Sequence, residues 1–457
     1  MVRRKIKLTI ISGSLFCFIL NTGAIGKDIE GRWSGRVLRD DIRIRLRVRE
    51  HRDYSSDWEW MEYFTRDELT GLQIDKEHTF RLIRDAGTID FDGKFTGKRG
   101  SGQFVFRQNQ DFQSFLENKG FRRLDEEDMF TLCMCDASKK YVEDLGKLGY
   151  SDISTSRLIE FCIHEVSIDF IESIHSQGFK EMTPSKLVEF RIHGVDEEFI
   201  EGLRKLGYEE LSPSKLVECR IHGVTPDYVQ EMRADGFEKL SLSRLIEFRI
   251  HGVSREFIEG MGKLGYSDLE ASKLVECRIH GVTPDFIREM RDAGFGDISL
   301  SKLIEFRIHG VTSDYMKEFQ DLGYSNLPAS RLVECRIHGV SPDYIRKMRA
   351  AGFEDTSLSK LVEFRIHGVT SEFIEDMKDM GFSDLPASKL VECRIHSVTP
   401  RFIKEIHSAG FKDISLSKLI EFRIHGVDKK YIEYIQDLMK GKEVSASKII
   451  SMKIHGI

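Results

Sequence analysis

One histidine recurs every 29 residues over most of the chain, and this spacing constrains the fold more than any other feature. Ten histidines from His164 to His425 keep the interval, and His455 follows after 30 residues. Cys135 holds the equivalent place one interval before His164. Counting these anchors gives twelve units, the first of which begins near Asp111. A fixed period of this length is typical of repeat proteins, in which each unit buries itself against its neighbours.

The unit at 282–310 indicates what each copy folds into. Thr283, followed by a proline, predicts the start of a first helix, and Gly294 predicts its end. Ser299 and Gly310 predict the start and end of a second helix in the same way. Two helices of this length are marginal alone in water, so they are expected to stack on copies of themselves. Five apolar residues predict that the second helix is largely buried: Leu300, Leu303, Ile304, Phe306 and Ile308.

A second period of 58 residues overlies the first. The second helices carry cysteine and phenylalanine alternately at one position, as in Cys335 and Phe306. We expect large and small side chains to interdigitate between neighbouring layers, as close-packed cores require. Cysteines two layers apart are too distant for disulfide bonds, so they are predicted to be small buried apolar residues. Four cysteines hold this position: Cys219, Cys277, Cys335 and Cys393.

Residues 1–26 have the pattern of a secretory signal peptide. Basic residues precede a short apolar run from Leu8 to Leu20, and small residues around Gly23 offer a cleavage site. The run is too short to span a bilayer comfortably. We expect a secreted or periplasmic protein whose only membrane contact is this segment if it is left uncleaved.

Residues 27–110 change to a period of two. In the clearest strand, apolar residues from Ile42 to Val48 alternate with arginines. Glycines separate further alternating segments, which predicts a small antiparallel sheet of five or six strands with Trp33, Trp58 and Trp60 in its core or at its rim. The expected fold class is therefore α+β and multidomain: a small antiparallel β domain at 27–110, then an all-α solenoid at 111–457 of about twelve two-helix repeats.

Each repeat places a glutamate four residues before its histidine, as in Glu189 with His193 and Glu305 with His309. Such a pair shares one helix face and could supply two metal ligands, which makes a metal-binding or metal-buffering protein the alternative function. Zinc needs donors about 2.0–2.1 Å away, so histidines a whole layer apart cannot share one ion. We favour a structural role, with each histidine in the last helical turn and paired to its glutamate. A pH-sensing role is a further alternative, because aligned imidazoles would gain charge together near pH ~6.5.

Arginines offer three possible binding surfaces. The arginine of each Arg-Ile-His segment could grip a repeating anion, although bonds to carboxylates or helix-end carbonyls of the next layer are favoured. Arg288 and Arg291 mark the predicted solvated side of a first helix. A polyanion could bind the arginines of the alternating strand, but pairing with Asp90 and Asp92 is the preferred interpretation. Those strand arginines are Arg43, Arg45, Arg47 and Arg49.

No pattern in the sequence indicates catalysis. The nucleophile elbow, the phosphate-binding loop and the dinucleotide glycine pattern do not occur. His164 and Glu165 begin like a zinc-protease helix, but Ile168 stands where the second histidine is required. We therefore expect a non-enzymatic protein without a cofactor or a small-molecule substrate. The formal net charge of −6 does not favour nucleic acid as a partner.

The segments Arg278 to Ile287 and Arg336 to Ile345 share the pattern Arg-Ile-His-Gly-Val-Thr/Ser-Pro-Asp-Phe/Tyr-Ile. This pattern resembles helical repeats of bacterial envelope proteins, and it is similar to repeats attached to membrane metallopeptidases of the beta-lactam-sensor type. The resemblance covers about 111–457 and does not include the peptidase part. It implies a bacterial origin, an envelope location and an interaction role. The expected function is a non-catalytic secreted or periplasmic scaffold that binds an unidentified protein partner.

Overall fold

The computed structural model describes residues 28–39, 41–48, 58–122, 124–296, 298–440 and 442–457. The predicted signal peptide at 1–26 lies outside the described residues. The chain divides into two compact units, Met1–Arg249 and Ile250–Ile457. The described part of the chain has seven strands followed by 24 helices. This confirms the predicted fold class, an antiparallel β domain followed by a helical-repeat solenoid.

The β domain is one antiparallel sheet in the first unit, with strand order β3-β2-β1-β7-β6-β5-β4. Each neighbouring strand pair for which a register is resolved is antiparallel. The seventh strand beyond the predicted five or six is β4, which has only two residues. The strands are β1 Ile29–Val37, β2 Asp41–Val48, β3 Trp58–Thr65, β4 Leu69–Thr70, β5 Glu77–Arg84, β6 Gly87–Thr96 and β7 Arg99–Gln108.

One face of this sheet is an aromatic and aliphatic core. The apolar residues of β2 are buried while Arg45 and Arg47 between them are exposed, as the alternation predicts. Trp33 is buried, and its indole Nε1 donates a hydrogen bond to the Asp92 carbonyl at 3.1 Å. Trp60 is half-buried. The side chain of Trp58 lies outside the described residues.

Helices begin directly after the sheet, within two residues of the end of β7. Odd-numbered helices are the first helix of each repeat, and even-numbered helices are the second. The bounds are α1 Gln110–Asn118, α2 Glu126–Met134, α3 Lys139–Lys147, α4 Thr155–Ile163, α5 Ile168–Ser176, α6 Pro184–His193, α7 Glu197–Lys205, α8 Pro213–Ile221, α9 Pro226–Ala234, α10 Leu242–His251, α11 Arg255–Gly262, α12 Ala271–Ile279, α13 Pro284–Asp292, α14 Leu300–His309, α15 Ser313–Asp321, α16 Ala329–Ile337, α17 Pro342–Ala350, α18 Leu358–His367, α19 Ser371–Asp379, α20 Ala387–Ile395, α21 Pro400–Ser408, α22 Leu416–Ile424, α23 Lys429–Leu438 and α24 Ala446–Ile454.

Within each compact unit the repeats form two layers. Odd helices contact odd helices, as α3 does α5 and α15 does α17, whereas α6 contacts α8 and α14 contacts α16 in the even layer. The predicted caps are confirmed: Thr283 and Ser299 accept hydrogen bonds from the first turns of α13 and α14. Gly310 ends α14 in the left-handed region at φ 68°. Side-chain caps and left-handed turns thus close the ends of α13 and α14, and short helices of this kind are stabilised mainly by their neighbours.

Large and small buried side chains alternate at one position of successive even helices, as the 58-residue period predicts. Phe306 on α14 and Cys335 on α16 are both fully buried where these helices meet. Phe295 packs edge-to-face on Phe306, with ring centroids 5.5 Å apart. The cysteines of this position are free and buried, as expected. The prediction for Ile308 is wrong, because its side chain is 53% exposed.

The first repeat packs directly on the sheet. Helix α2 contacts β6 and β7, and the Phe130 ring lies edge-on to Phe106 with centroids 5.3 Å apart. Arg84 at the end of β5 donates to the carbonyl oxygens of Cys133 and Met134 at 2.6 and 2.5 Å. The sheet thus supplies the cap for the C-terminus of α2. Among the helices within the described ranges, none has the length and apolar character needed to cross a membrane.

Candidate interaction surfaces

The largest repeated exposed apolar feature is the isoleucine of the Arg-Ile-His segment. This residue ends or nearly ends each even helix, and its side chain is 53–57% exposed from α6 onward. Single exposed apolar residues are common on proteins, but here the same aliphatic side chain is exposed at the same position in every repeat from α6 onward. We call these residues the isoleucine row: Ile192 and Ile221 in the first compact unit, and Ile250, Ile279, Ile308, Ile337, Ile366, Ile395, Ile424 and Ile454 in the second.

From α6 to α22, a lysine or arginine beside the isoleucine row forms an ion pair with a glutamate on its own helix. In α14, the Lys302 ammonium forms an ion pair with the Glu305 carboxylate one turn later. The same pair occurs between Lys360 and Glu363 at 2.5 Å. These side chains are about one-third to two-fifths exposed. The even helices therefore present exposed isoleucines beside charge pairs that have no net charge.

The odd and even helices differ in how much an exposed position varies from repeat to repeat. The position of Ile308 is isoleucine in each repeat from Ile163 to Ile454. The equally exposed position of Arg288 on the odd helices reverses charge, being glutamate at Glu259 and lysine at Lys317. The exposed isoleucine position of the even helices is therefore uniform among the repeats, whereas the exposed position compared on the odd helices is not.

The glutamate–histidine pairs do not form as predicted. Glu189 and Glu305 pair with Lys186 and Lys302, three residues earlier, rather than with the histidines. His193 is half-buried at the end of α6, and its counterpart His309 is exposed at the end of α14. Over the described ranges, no group of three or more His, Cys, Asp or Glu side chains could hold a metal ion. The metal-binding alternative thus has no assembled site in the part of the chain described.

The arginine of each Arg-Ile-His segment links its repeat to the one before. In the second unit, Arg278 Nε donates to the His251 carbonyl at 3.0 Å, and its guanidinium carbon lies 5.1 Å from the Phe257 ring centroid. A Cβ on Gly252 would approach Arg278 Nη2 to 2.7 Å, so the turn needs glycine for space as well as for its φ of 68°. We call this place, between a helix end and an aromatic ring, the guanidinium slot.

The guanidinium slot recurs throughout the array, which supports the favoured interpretation that these arginines bind helix-end carbonyls. Arg307, Arg394 and Arg423 each combine a ring contact with a bond to a carbonyl 26 or 27 residues earlier. Guanidinium carbon to ring centroid distances range from 3.8 to 5.1 Å for Arg191, Arg220, Arg249, Arg278, Arg307, Arg336, Arg365, Arg394 and Arg423.

The two arginines named as surface candidates on α13 have different surroundings. Arg291 Nη2 donates to the Leu264 carbonyl at 2.8 Å, and its guanidinium lies 5.7 Å from the Tyr266 ring. These contacts join it to the preceding repeat. Arg288 is more than half exposed and pairs only with Asp285, one turn earlier on the same helix, among the ion pairs resolved in the described chain. Arg288 is the one of the two that an approaching molecule could contact fully.

The arginines of β2 pair with a neighbouring strand. Arg45 and Arg47 both form ion pairs with Glu59 on β3, at 3.0 and 2.9 Å. The expected partner Asp90 instead pairs with Arg81 and Arg107, because β6 is not adjacent to β2 in the sheet. Arg43 is half-buried on the same strand, and Arg49 lies outside the described residues.

A cavity of about 360 Å³ lies in the first compact unit, where the sheet meets the first two repeats. Its walls include Glu62, Arg84, Asp136, Tyr141, Cys162 and Glu165. Burial raises the pKa of the neighbouring Cys135 thiol to about 12, and Glu62 adds to the shift. Burial also raises the pKa of Tyr141 far above its usual value. Both shifts favour the protonated, uncharged form of these groups at neutral pH.

Comparison with models of known protein families finds no match to this chain, and comparison with curated proteins finds none either. The function of the chain is therefore inferred from its own surfaces.

Proposed function

We propose that the protein is a non-catalytic scaffold that binds a partner protein along the even helices, through the isoleucine row. The observation that most supports this proposal is that the same large aliphatic side chain is more than half exposed in repeat after repeat. Burying the exposed half of one isoleucine in an interface contributes about 1 kcal/mol. Several in succession give a surface on which a protein can bind without any single deep pocket.

The charges beside the row favour a protein over a polyanion. From α4 to α22, each even helix pairs one lysine or arginine with the glutamate three residues later, as Lys302 pairs with Glu305. A nucleic acid or an acidic polysaccharide would have to displace these carboxylates, because its binding depends on free positive charge. A protein surface that presents apolar side chains flanked by both acidic and basic groups can instead exchange pairs with the row. The expected partner has this chemistry.

The proposed location is outside the cytoplasm. It rests on the signal-like pattern at 1–26 and on the resemblance of the repeats to those of envelope proteins. Expression of the full chain in a bacterium, followed by fractionation and N-terminal sequencing, tests this part. A mature N-terminus near residue 27 in the periplasm or medium is expected, and an intact N-terminus in the cytoplasm would contradict it.

The binding surface is tested with two matched triple variants in the same three repeats. One replaces Ile308, Ile337 and Ile366 with serine, and the other replaces Arg288, Lys317 and Arg346 with serine. Both sets are exposed, so helical circular dichroism should be unchanged. Losing about 3 kcal/mol of apolar contact should weaken partner binding about 100-fold in the isoleucine variant alone.

The assay is quantitative capture of envelope proteins by the immobilised mature chain, with binding to each variant titrated for every captured protein. A partner retained by the charge variant and lost by the isoleucine variant is the expected result. Equal retention by both variants would remove the isoleucine row as the binding surface. Light scattering of the free chain distinguishes a second copy as the partner, since a dimer that the isoleucine variant dissociates would identify self-association.

A further inference from the structure

The guanidinium slot is a built site for a cation, and Arg191 shows its parts most fully. The Arg191 Nε donates to the His164 carbonyl at 3.2 Å, and its Nη2 donates to the Glu165 carboxylate at 3.1 Å. The guanidinium carbon lies 5.0 Å from the Phe170 ring centroid. A helix-end carbonyl, a carboxylate and an aromatic face thus surround one planar cation, which is the arrangement that guanidinium groups prefer.

One repeat earlier, the chain has the equivalent aromatic ring and carboxylate but no arginine between them. Subtracting 29 from each position places Tyr141 at the ring, Asp136 at the carboxylate and Cys162 at the arginine. The Tyr141 hydroxyl donates to the Val166 carbonyl at 2.6 Å, as Tyr315 and Tyr344 of two filled slots donate to Val340 and Val369 at 2.9 and 2.8 Å. The ring is therefore held in the same place whether or not the slot contains a cation.

The left-handed turn beside the slot is also present in this repeat. Asp136 has a φ of 59°, in the same left-handed region as Glu165 at 54° in the slot of Arg191 and Gly252 at 68° in the slot of Arg278. The cavity of about 360 Å³ opens at this place, with Tyr141, Asp136 and Cys162 among its walls. Burial raises the pKa of the Cys162 thiol well above its usual value, so this side chain supplies no charge.

Arg84 does not fill the slot. It comes from the sheet and bonds to the Cys133 and Met134 carbonyls, and its guanidinium faces the Phe64 ring at 5.6 Å. Its Nε lies 3.4 Å from Asp136, so it neutralises that carboxylate only in part. Among the described residues, no Arg or Lys lies over the Tyr141 ring, whereas each later slot from Arg191 onward has such a cation.

We propose that this cavity is a vacant guanidinium slot that binds the side chain of an arginine supplied from outside the chain. The volume is within the range of small-ligand sites and accommodates a guanidinium with its three-carbon stem. Glu62 and Glu165 also line the cavity, and Glu165 is bonded to Arg191 of the next slot, so Asp136 is the carboxylate assigned to the bound cation. The last repeat places Lys453 over Tyr431 at 4.0 Å, so an ammonium is the second cation to compare.

Calorimetric titration of the mature chain with N-acetyl-arginine amide tests this proposal. Binding with one site per chain and a Kd of about 1 mM or tighter is expected from one ring contact and two charged hydrogen bonds. N-acetyl-citrulline amide is the matched ligand control, because it keeps the shape and lacks the charge. It should bind at least tenfold more weakly. No binding of the arginine compound at 10 mM, or equal binding of citrulline, would overturn the proposal.

Two variants locate the site. Cys162→Arg supplies the missing side chain from within and should abolish binding while raising the melting temperature, whereas Cys162→Ala keeps the slot open and should bind as the natural chain does. If Cys162→Arg fails to fold, the affinity of Asp136→Asn for the arginine compound tests the site instead, because losing the carboxylate should weaken binding about tenfold. Unchanged affinity in a folded Cys162→Arg or Asp136→Asn chain contradicts the assignment.

The source of the arginine is distinguished by the ligand's length. A capped Gly-Gly-Arg-Gly-Gly peptide that binds no tighter than the amide shows that the side chain alone is recognised, as for a free small molecule. A peptide that binds at least tenfold tighter indicates an arginine presented by a protein. N-acetyl-lysine amide completes the set and should bind more weakly than the arginine amide, because an ammonium cannot bond the carbonyl and the carboxylate as a planar fork.

Discussion

Removing one guanidinium should loosen the array at one junction between repeats, and Arg278→Ala is the clearest case. Arg278 lies in the second compact unit with both of its contacts there, the His251 carbonyl and the Phe257 ring. Alanine favours the helix, so the change does not act through helix propensity. The variant therefore isolates the link between one repeat and the one before it.

The expected loss is about 2 kcal/mol. A hydrogen bond from a charged donor contributes about 1.5–3 kcal/mol, and a partly exposed cation–π contact contributes about 0.5–1 kcal/mol. The lower ends of both ranges apply because Arg278 is half-buried rather than enclosed. Arg278→Lys keeps the charge over the ring but loses the planar fork, so about half of the loss is expected.

Urea unfolding followed by helical circular dichroism measures the change, with amide hydrogen exchange in α11 and α12 to show where it acts. Arg288→Ala, on the adjacent odd helix α13, is the control variant, because its exposed pair with Asp285 should contribute less than about 0.5 kcal/mol. Equal losses in the two variants, or exchange that accelerates uniformly rather than around this junction, would refute the role given to the slot.

Four further predictions concern the repeats and the first helices. Leu303→Ala should lower the free energy of unfolding by about 2–5 kcal/mol and Ile308→Ala by less than about 0.5 kcal/mol, because Leu303 is fully buried; urea titration compares them. Glu270 caps α12 without a side-chain hydrogen bond, so Glu270→Ser should raise the melting temperature through about 0.5–1 kcal/mol of new capping. Burial raises the pKa of the Cys277 thiol to about 11, so this thiol should react with Ellman's reagent at pH ~8 only after unfolding. Burial, and then the charge of Asp125, raises the pKa of Asp128 to about 6, so ionisation of Asp128 destabilises the fold as the pH rises from about 4 through 6. Over that interval, the free energy of unfolding of Asp128→Asn should increase by about 1 kcal/mol relative to the natural chain, after allowance for partial exposure. Urea unfolding at several pH values measures this, and a difference that does not change with pH would contradict it.

Local signals were enough to predict where the helices begin and end. Thr283 and Ser299 cap α13 and α14 as expected, since a capping side chain acts on the backbone two or three residues away and needs no distant partner. The alternation in β2 likewise predicted which of its side chains are buried. The fold class follows because the period of two indicates strands, whereas each 29-residue unit contains two capped apolar segments that end at glycine and so indicates a pair of helices.

Contacts between elements distant in sequence were harder to predict. Ile308 was assigned to the core because its chemistry is apolar, but burial depends on which side of α14 the neighbouring helices cover. The strand order placed Glu59 rather than Asp90 beside Arg45, and the alternation within β2 contains no information on that order. The cavity beside Tyr141 was missed for the same reason. The replacement of arginine by Cys162 was visible in the sequence, and a bond from that arginine to a neighbouring layer was the favoured interpretation, but the sequence did not show that a cavity stands where the arginine is missing.

The isoleucine row and the guanidinium slot lie on neighbouring residues, and this explains why the Arg-Ile-His segment varies so little. Arg307 must turn back to the preceding repeat to reach the His280 carbonyl, which leaves Ile308 at the helix end facing away from the core. A repeat that keeps its arginine link therefore also displays its isoleucine. A stable helix needs only a helix-forming residue at the exposed position of Ile308. The odd helices illustrate this, because their exposed position changes between arginine, glutamate and lysine. Because isoleucine recurs where alanine or glutamate would serve the helix better, we attribute its retention to binding rather than to folding.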